Sequence, residues 1–303
     1  MKRLLLGLAV LVGSSAAQAQ LIPKIAYLKL GSGKNAVHTV NVANANSSNA
    51  AVVYSSSKSI YDVQLSPSGL QVAVAGQEGL RLISYSVSGS SLSVSSSSLV
   101  DATPNIQSAD FSFDGGKLAW RHDSGNGQVS VKVMNLSDSS VSVYPISNPL
   151  MMKIAYVQSG DIAHVDMDSG GGSYGLYLLD LVSGIDSLIM NTSSTEFGNI
   201  DHISGLSSRN SVIVQGGCRA SSSSCGSINL YEVDVVSGAV SSLVKSSLPS
   251  LSGGSDSADN ITFFQASSAK SSDVYIAQKN ASSGIISRLS SRAASLRQLD
   301  VVP

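Results

Sequence analysis

Apolar residues in this chain recur in strand-length runs, often at every second position, and clusters of Gly, Asn, Asp and Ser separate the runs. Residues 107–146 show the pattern most fully. Apolar-rich runs at 109–113, 117–121, 129–135 and 141–144 are divided by Asp114-Gly115-Gly116, Ser124-Gly125-Asn126-Gly127 and Ser137-Asp138-Ser139. Alternating β-branched and aromatic residues bounded by such turn chemistry predict an antiparallel four-stranded meander. One sheet of this size cannot bury both of its faces alone, so its stability requires similar sheets packed against it.

Similar units do recur. SPSGLQVAVAG at residue 66 aligns with SFDGGKLAWRH at residue 112, a Gly-bearing turn before an alternating run in both. KIAYVQSG at Lys153 echoes KIAYLKLG at Lys24. GLYLLDLVSG at Gly175 and NLYEVDVVSG at Asn229 repeat a strand, a Ser-Gly turn and a second strand, with Tyr177, Tyr231 and Tyr275 in matching places. Units begin near residues 24, 61, 107, 153, 199 and 257. Intervals of roughly 40 to 58 residues fit propeller blades and exceed the turn of a solenoid. The expected fold is all-β, a six-bladed β-propeller of four-stranded antiparallel blades forming a single domain over residues 20–303. The first unit is one strand short, and the run at 295–301 is expected to return and complete it. A Ser-, Gly- and Asn-rich β-helix is the competing architecture.

The segments LSPSGLQVAVA and FSFDGGKLAWR, each followed by strand, Ser-Gly turn and strand, resemble the repeats of the TolB-like propeller family. The resemblance spans about residues 24–290. It implies a six-bladed propeller in the periplasmic Tol-Pal envelope system. Ser66-Pro67-Ser68-Gly69 and Ser112-Phe113-Asp114-Gly115 match the family's turn closely, whereas units one, four, five and six lack it. The α/β domain preceding the propeller in TolB is not expected here, because the first unit follows directly on the N-terminal segment.

That segment reads as an export signal. Met1-Lys2-Arg3, an apolar run at 4–12 and Ala17-Gln18-Ala19 form the basic, apolar and A-x-A parts of a signal peptide over residues 1–19. No run is long enough to span a membrane. A soluble protein, periplasmic or secreted and monomeric, is expected after cleavage near Ala19. Charged residues make up 13% of the chain and the net charge is −1, which removes the basic footprint of a nucleic-acid binder. Serine is about a fifth of the sequence, which by itself would suit a disordered stalk, but apolar residues at 43% argue for a packed core. In an oxidising compartment Cys218 and Cys225, with six residues between them, are expected to close a loop as a disulfide.

Candidate chemistry is sparse. Gly171-Gly172-Ser173-Tyr174-Gly175 matches G-x-S-x-G, but a strand and hairpin turn follow where a nucleophile elbow needs a helix, so it reads as a turn. Asp161, His164, Asp166 and Asp168 place three carboxylates and an imidazole within eight residues. They are the candidate ligands for a divalent cation, although the later positions of a calcium loop are missing. No other cofactor is expected. His38, His122 and His202 are scattered over different units. Asp62, Asp110, Asp201 and Asp259 fall at or just before the first strand of a unit and are candidates for an acidic ring at the channel mouth, against the alternative of Asp-capped turns.

No coherent catalytic set emerges. The expected function is an envelope scaffold that binds a protein or polymer, with no nucleic-acid partner. The alternatives are a metal-assisted propeller lyase or hydrolase, in which His122, His164 or His202 converge at the channel, and a Ser-rich adhesin-like structural protein.

Overall fold

In the computed structural model, the alternation of side chains along each strand decides which neighbour each sheet face meets. Residues 24–302 are described, apart from the connections 32–35, 45–49, 89–90, 147, 149, 168–172, 195–196, 219–227, 246–250, 256–260, 269–270, 278–285 and 293–295; beyond residue 243 the description is of backbone. The signal segment and residues 219–225 of the Cys218–Cys225 loop therefore lie outside the described residues.

The chain is a β-propeller of four-stranded antiparallel blades. Five blades are made of four consecutive strands, each in simple meander order. The first comprises β4 (Ile60–Leu65), β5 (Gln71–Gly76), β6 (Gly79–Ser88) and β7 (Ser91–Asp101). Next come β8 (Ala109–Phe111), β9 (Lys117–Asp123), β10 (Val129–Asn135) and β11 (Val141–Ile146). The third has β12 (Met151–Tyr156), β13 (Ile162–Met167), β14 (Tyr174–Leu179) and β15 (Asp186–Asn191). The fourth has β16 (Phe197–Gly205), β17 (Ser211–Cys218), β18 (Ile228–Asp234) and β19 (Val240–Lys245). The fifth has β20 (Leu251–Ser255), β21 (Ile261–Ser268), β22 (Ser271–Ala277) and β23 (Ile286–Arg292).

One more four-stranded sheet is composite. β24 (Leu296–Val302) pairs antiparallel with β1 (Lys24–Lys29), followed by β2 (His38–Asn44) and β3 (Ala51–Ser56). Contiguous blades thus number five, not the six expected, and the sheet at residue 24 is completed by the C-terminal strand, the return expected of the run at 295–301. The first strands lie side by side in a closed circuit: β4 touches β8, then β12, β16, β20 and β24 follow in turn, and β24 touches β4 again. The strand at Leu251–Ser255 also precedes the expected start at 257, because its Leu-Ser-Gly-Gly-Ser sequence has no apolar alternation to reveal it.

The core sits between blades. In β5, Val72 and Val74 pack toward the composite sheet, while Ala73 and Ala75 join Leu118 and Trp120 of β9 on the other side. In β9 the opposite face carries Ala119, which packs with Met151, Ile154 and Ile162 of the next blade. In β13, Ala163 and Val165 pack toward Val212 and Val214 of β17. A large side chain on one blade face meets small ones on its neighbour, so adjacent sheets can interdigitate without voids.

Antiparallel alternation sends the β5–β6, β9–β10, β13–β14 and β17–β18 connections to the same end as the links between blades. This is the connector end. The turns between the first and second strands and between the third and fourth strands of each blade lie at the opposite, turn end.

Candidate functional site

The first strand of each blade has a free edge, whose backbone N–H groups need acceptors once they are shielded from water. Two of the predicted acidic residues supply them. Asp62, on β4 and 2% exposed, accepts Ser108 Oγ at 3.0 Å and Ala109 N at 3.2 Å from the next blade, and Val63 N at 3.0 Å from its own. Ser108 Oγ in turn accepts Ile154 N at 3.1 Å from the blade after that. Asp110 on β8 accepts Tyr156 N at 2.7 Å from the next blade and Phe111 N at 2.9 Å from its own. Asp62 and Asp110 therefore each join the first strands of two adjacent blades. Their carboxylates are used up by edge N–H groups that no strand pairs. Asp201 on β16 is reached by solvent and accepts Asn199 Nδ2 at 2.8 Å, yet the protein around it pushes its carboxyl pKa up. Asp259 lies outside the described residues.

The expected cation cluster is divided in a similar way. His164, on β13 and 0% exposed, has Nδ1 2.7 Å from Asp166 Oδ1 and Nε2 2.8 Å from Asp186 Oδ1. Its ring stacks on Tyr177, directly opposite on β14, with centroids 5.3 Å apart and planes at 10°. Burial pulls the imidazole pKa down, but hydrogen bonds and charge from Asp166 and Asp186 outweigh it and push the value up to about 9. Both ring nitrogens are thus engaged by carboxylates, an arrangement that favours the imidazolium. Asp161 is elsewhere, in the turn before β13, where it accepts Leu181 N and Ser159 Oγ. Asp168 lies outside the described residues. Among the described residues, no three His, Cys, Asp or Glu side chains converge as metal ligands.

The other histidines stay apart. His38 Nδ1 accepts Gly31 N at 3.3 Å, and His202 is buried on β16. His122 lies 3.3 Å from Asp101 at the end of β7. Ser173 is buried immediately before β14, a strand, so the G-x-S-x-G string has no helix to lift it. Cys218 ends β17, while Cys225 lies outside the described residues.

Two charged groups that the pattern did not single out organise the seams beside β9. Asp101 accepts Trp120 Nε1 at 2.8 Å and Lys132 Nζ at 3.0 Å. Burial works against its ionisation, but hydrogen bonds from Thr103, Trp120 and Lys132 prevail and hold the carboxyl well below the usual range. On the opposite face of β9, Arg121 is 6% exposed; its Nε donates to Met151 O at 2.6 Å and its Nη2 to Asp123 Oδ2 at 3.4 Å. Arg121 was legible in one respect: it is a charge directly after the apolar run Leu118-Ala119-Trp120. Above it, at the connector end, the link 103–107 and the turn 123–125 enclose a cleft of about 290 Å³.

No family model and no curated protein matches the sequence. Solved structures do match the fold. TolB from Acinetobacter baumannii superposes with a TM-score of 0.66 at 17% identity, over 93% of this chain and 67% of that one. A putative TolB from Agrobacterium tumefaciens gives 0.60 at 13% identity, over 90% of each chain. A chain of a nidogen/laminin complex also gives 0.60, at 8% identity, over 92% of this chain and 98% of that one. The nidogen/laminin match shows that the architecture is shared well beyond one system. The chain has the fold of the TolB-like propellers.

Proposed function

We propose that the protein is an exported, non-enzymatic β-propeller, closed as a ring of six sheets, that holds a protein or polymer partner of the cell envelope. The observation that carries this reading is the TolB-like fold over 93% of the chain, combined with the fate of the catalytic-looking side chains. Asp62, Asp110 and His164 bind neighbouring strands and carboxylates, as a scaffold requires. The N-terminal signal pattern supports export, and the TolB-like resemblance supports the periplasm as the destination. No helix among the described residues is long and apolar enough to cross a membrane. Ser173 and the Asp161–Asp168 segment have no catalytic or metal role in this reading, and a Cys218–Cys225 disulfide would brace the loop after β17.

The connector end is the proposed binding face. It carries the longer links and the cleft above Arg121, whereas the turn end is built from short, repeated turns. Crosslinking in intact cells followed by pull-down of the chain tests the proposal. Recovery of an envelope protein or polymer is expected, and capture of no specific partner would count against it.

A further inference from the structure

We infer that the cleft above Arg121 is a binding site for a single carboxylate group, contributed either by a small organic acid or by the C-terminus of a polypeptide. Its floor is the Arg121 guanidinium. The side chain is almost wholly buried, yet Nη1 has no protein partner and is not among the atoms sealed from solvent. Nε is committed to Met151 O at 2.6 Å, which fixes the plane of the group, and the Asp123 contact at 3.4 Å is long for a charge-assisted bond. A planar cation held in place with one edge open matches the geometry in which arginine recognises carboxylates.

The walls supply further donors. Asn105 sits in the left-handed backbone region at φ 63°, and its Oδ1 accepts the Tyr61 hydroxyl at 3.2 Å. That bond fixes the amide and leaves Nδ2 to donate. The Gln107 amide has no protein partner in the same wall, and Lys153 Nζ reaches Gln107 O at 3.3 Å. Of the acids nearby, Asp123 Oδ1 accepts Gly125 N at 2.9 Å and Asp166 Oδ1 is held by His164, while the buried Asp166 Oδ2 has no hydrogen-bond partner. Burial pulls the Arg121 pKa down, and Asp123 and Asp166 restore it only in part. A volume of about 290 Å³ lies at the small end of ligand cavities, sized for a short acid or the last residue or two of a chain. The site stands on this geometry whether or not the scaffold reading holds.

Calorimetry and ligand-observed NMR on the whole chain test the inference with three probes: succinate, an acetylated tetra-alanine with a free C-terminus, and the same peptide as its C-terminal amide. Binding of succinate or the free-acid peptide, with loss of the amide, is expected, and the tighter of the two identifies the source of the carboxylate. Because Arg121→Gln also removes the bond to Met151 and can disturb folding, Asn105→Gly and Gln107→Ala serve as companion variants. Each is expected to weaken binding roughly tenfold, the scale of one lost hydrogen bond to a charged group. Absence of binding by both free acids at millimolar concentration, equal binding of the amide, or full affinity in Asn105→Gly and Gln107→Ala together would overturn it.

Discussion

At the scale of single residues, polar side chains in this propeller act mainly as acceptors and counter-ions inside seams that are otherwise apolar. His164 shows the consequence most sharply. Its pKa is about 9 in the folded chain against about 6.5 for an unfolded histidine. A group whose pKa is raised on folding contributes stability that is fully present below the unfolded value and is lost as pH rises through the folded one. The melting temperature of the natural chain is therefore expected to fall between about pH 6.5 and 9, and His164→Phe should flatten that part of the profile. The substitution should also cost about 3 kcal/mol, because buried Asp166 and half-buried Asp186 lose their counter-ion. Melting curves across pH for both proteins check the point; parallel profiles would contradict it.

Residue roles of this kind were only partly legible in the sequence. The segment Asp161–Asp168 stood out by composition, and His164 and Asp166 do meet. Asp186, on the outermost strand of the same blade, completes the group, and no local spacing connects it to His164. Asp62 and Asp110 were visible as acids at strand starts. Their partners, Ala109 and Tyr156, are backbone N–H groups one blade further on, which side-chain identity does not encode.

At the scale of elements, the same turn is built three times with different sequences. Ser139 N bonds Asn135 O, Gly184 N bonds Asp180 O and Gly238 N bonds Asp234 O, each at 2.8 Å. Asn135, Asp180 and Asp234 each accept backbone N–H groups two or three residues on. The fifth position is left-handed in all three, with φ 72° at Gly184, 70° at Gly238 and 60° at Ser139. Glycine adopts that conformation without a Cβ penalty, so Ser139→Gly is expected to stabilise the chain by about 0.5–1 kcal/mol. Urea titration of the variant checks it, and a destabilised protein would contradict the turn comparison.

The Ser-Gly turns were readable as motifs because glycine marks them, whereas the Asn135–Ser139 copy hides behind a serine. Likewise, the turn at Val157–Gly160 keeps the bonds of the Ser66 and Ser112 turns, Gly160 N to Val157 O at 2.9 Å among them, though its sequence lacks their motif. Backbone geometry persists there after the side chains that signalled it have changed.

The closing strand is the other decisive element. β24 gives β1 its second partner along a register running from Lys24↔Val302 to Lys29↔Leu296. Deleting residues 296–302 would leave β1 with an unpaired edge and open the circuit of first strands between β20 and β4. A fall in melting temperature of about 10 °C or more, or failure to fold, is expected from losing one strand of a closed ring. An unchanged melting curve would mean that closure does not depend on β24.

At the scale of the whole molecule, the fold was legible because a propeller repeats its pattern, and each repeat corroborates the last. The strand-and-turn rhythm alone led to the four-stranded blades and to the expectation of a returning C-terminal run. Which end of the ring binds was not legible, since loop residues follow no periodicity and recognition resides in them. The structure separates the two ends by construction. The turn end carries exposed apolar residues, Val182, Ile185 and Val236 among them, on short repeated turns. The connector end carries the longer links, the left-handed Asn105 and the cleft above Arg121.

Placing a photoreactive amino acid at Asn126, in the exposed β9–β10 turn, and in a second strain at Val182, on the turn end, compares the two faces in living cells. Adducts with an envelope partner from position 126 and not from position 182 are predicted. Adducts from position 182 alone, or from neither position, would contradict a scaffold that binds through its connector end.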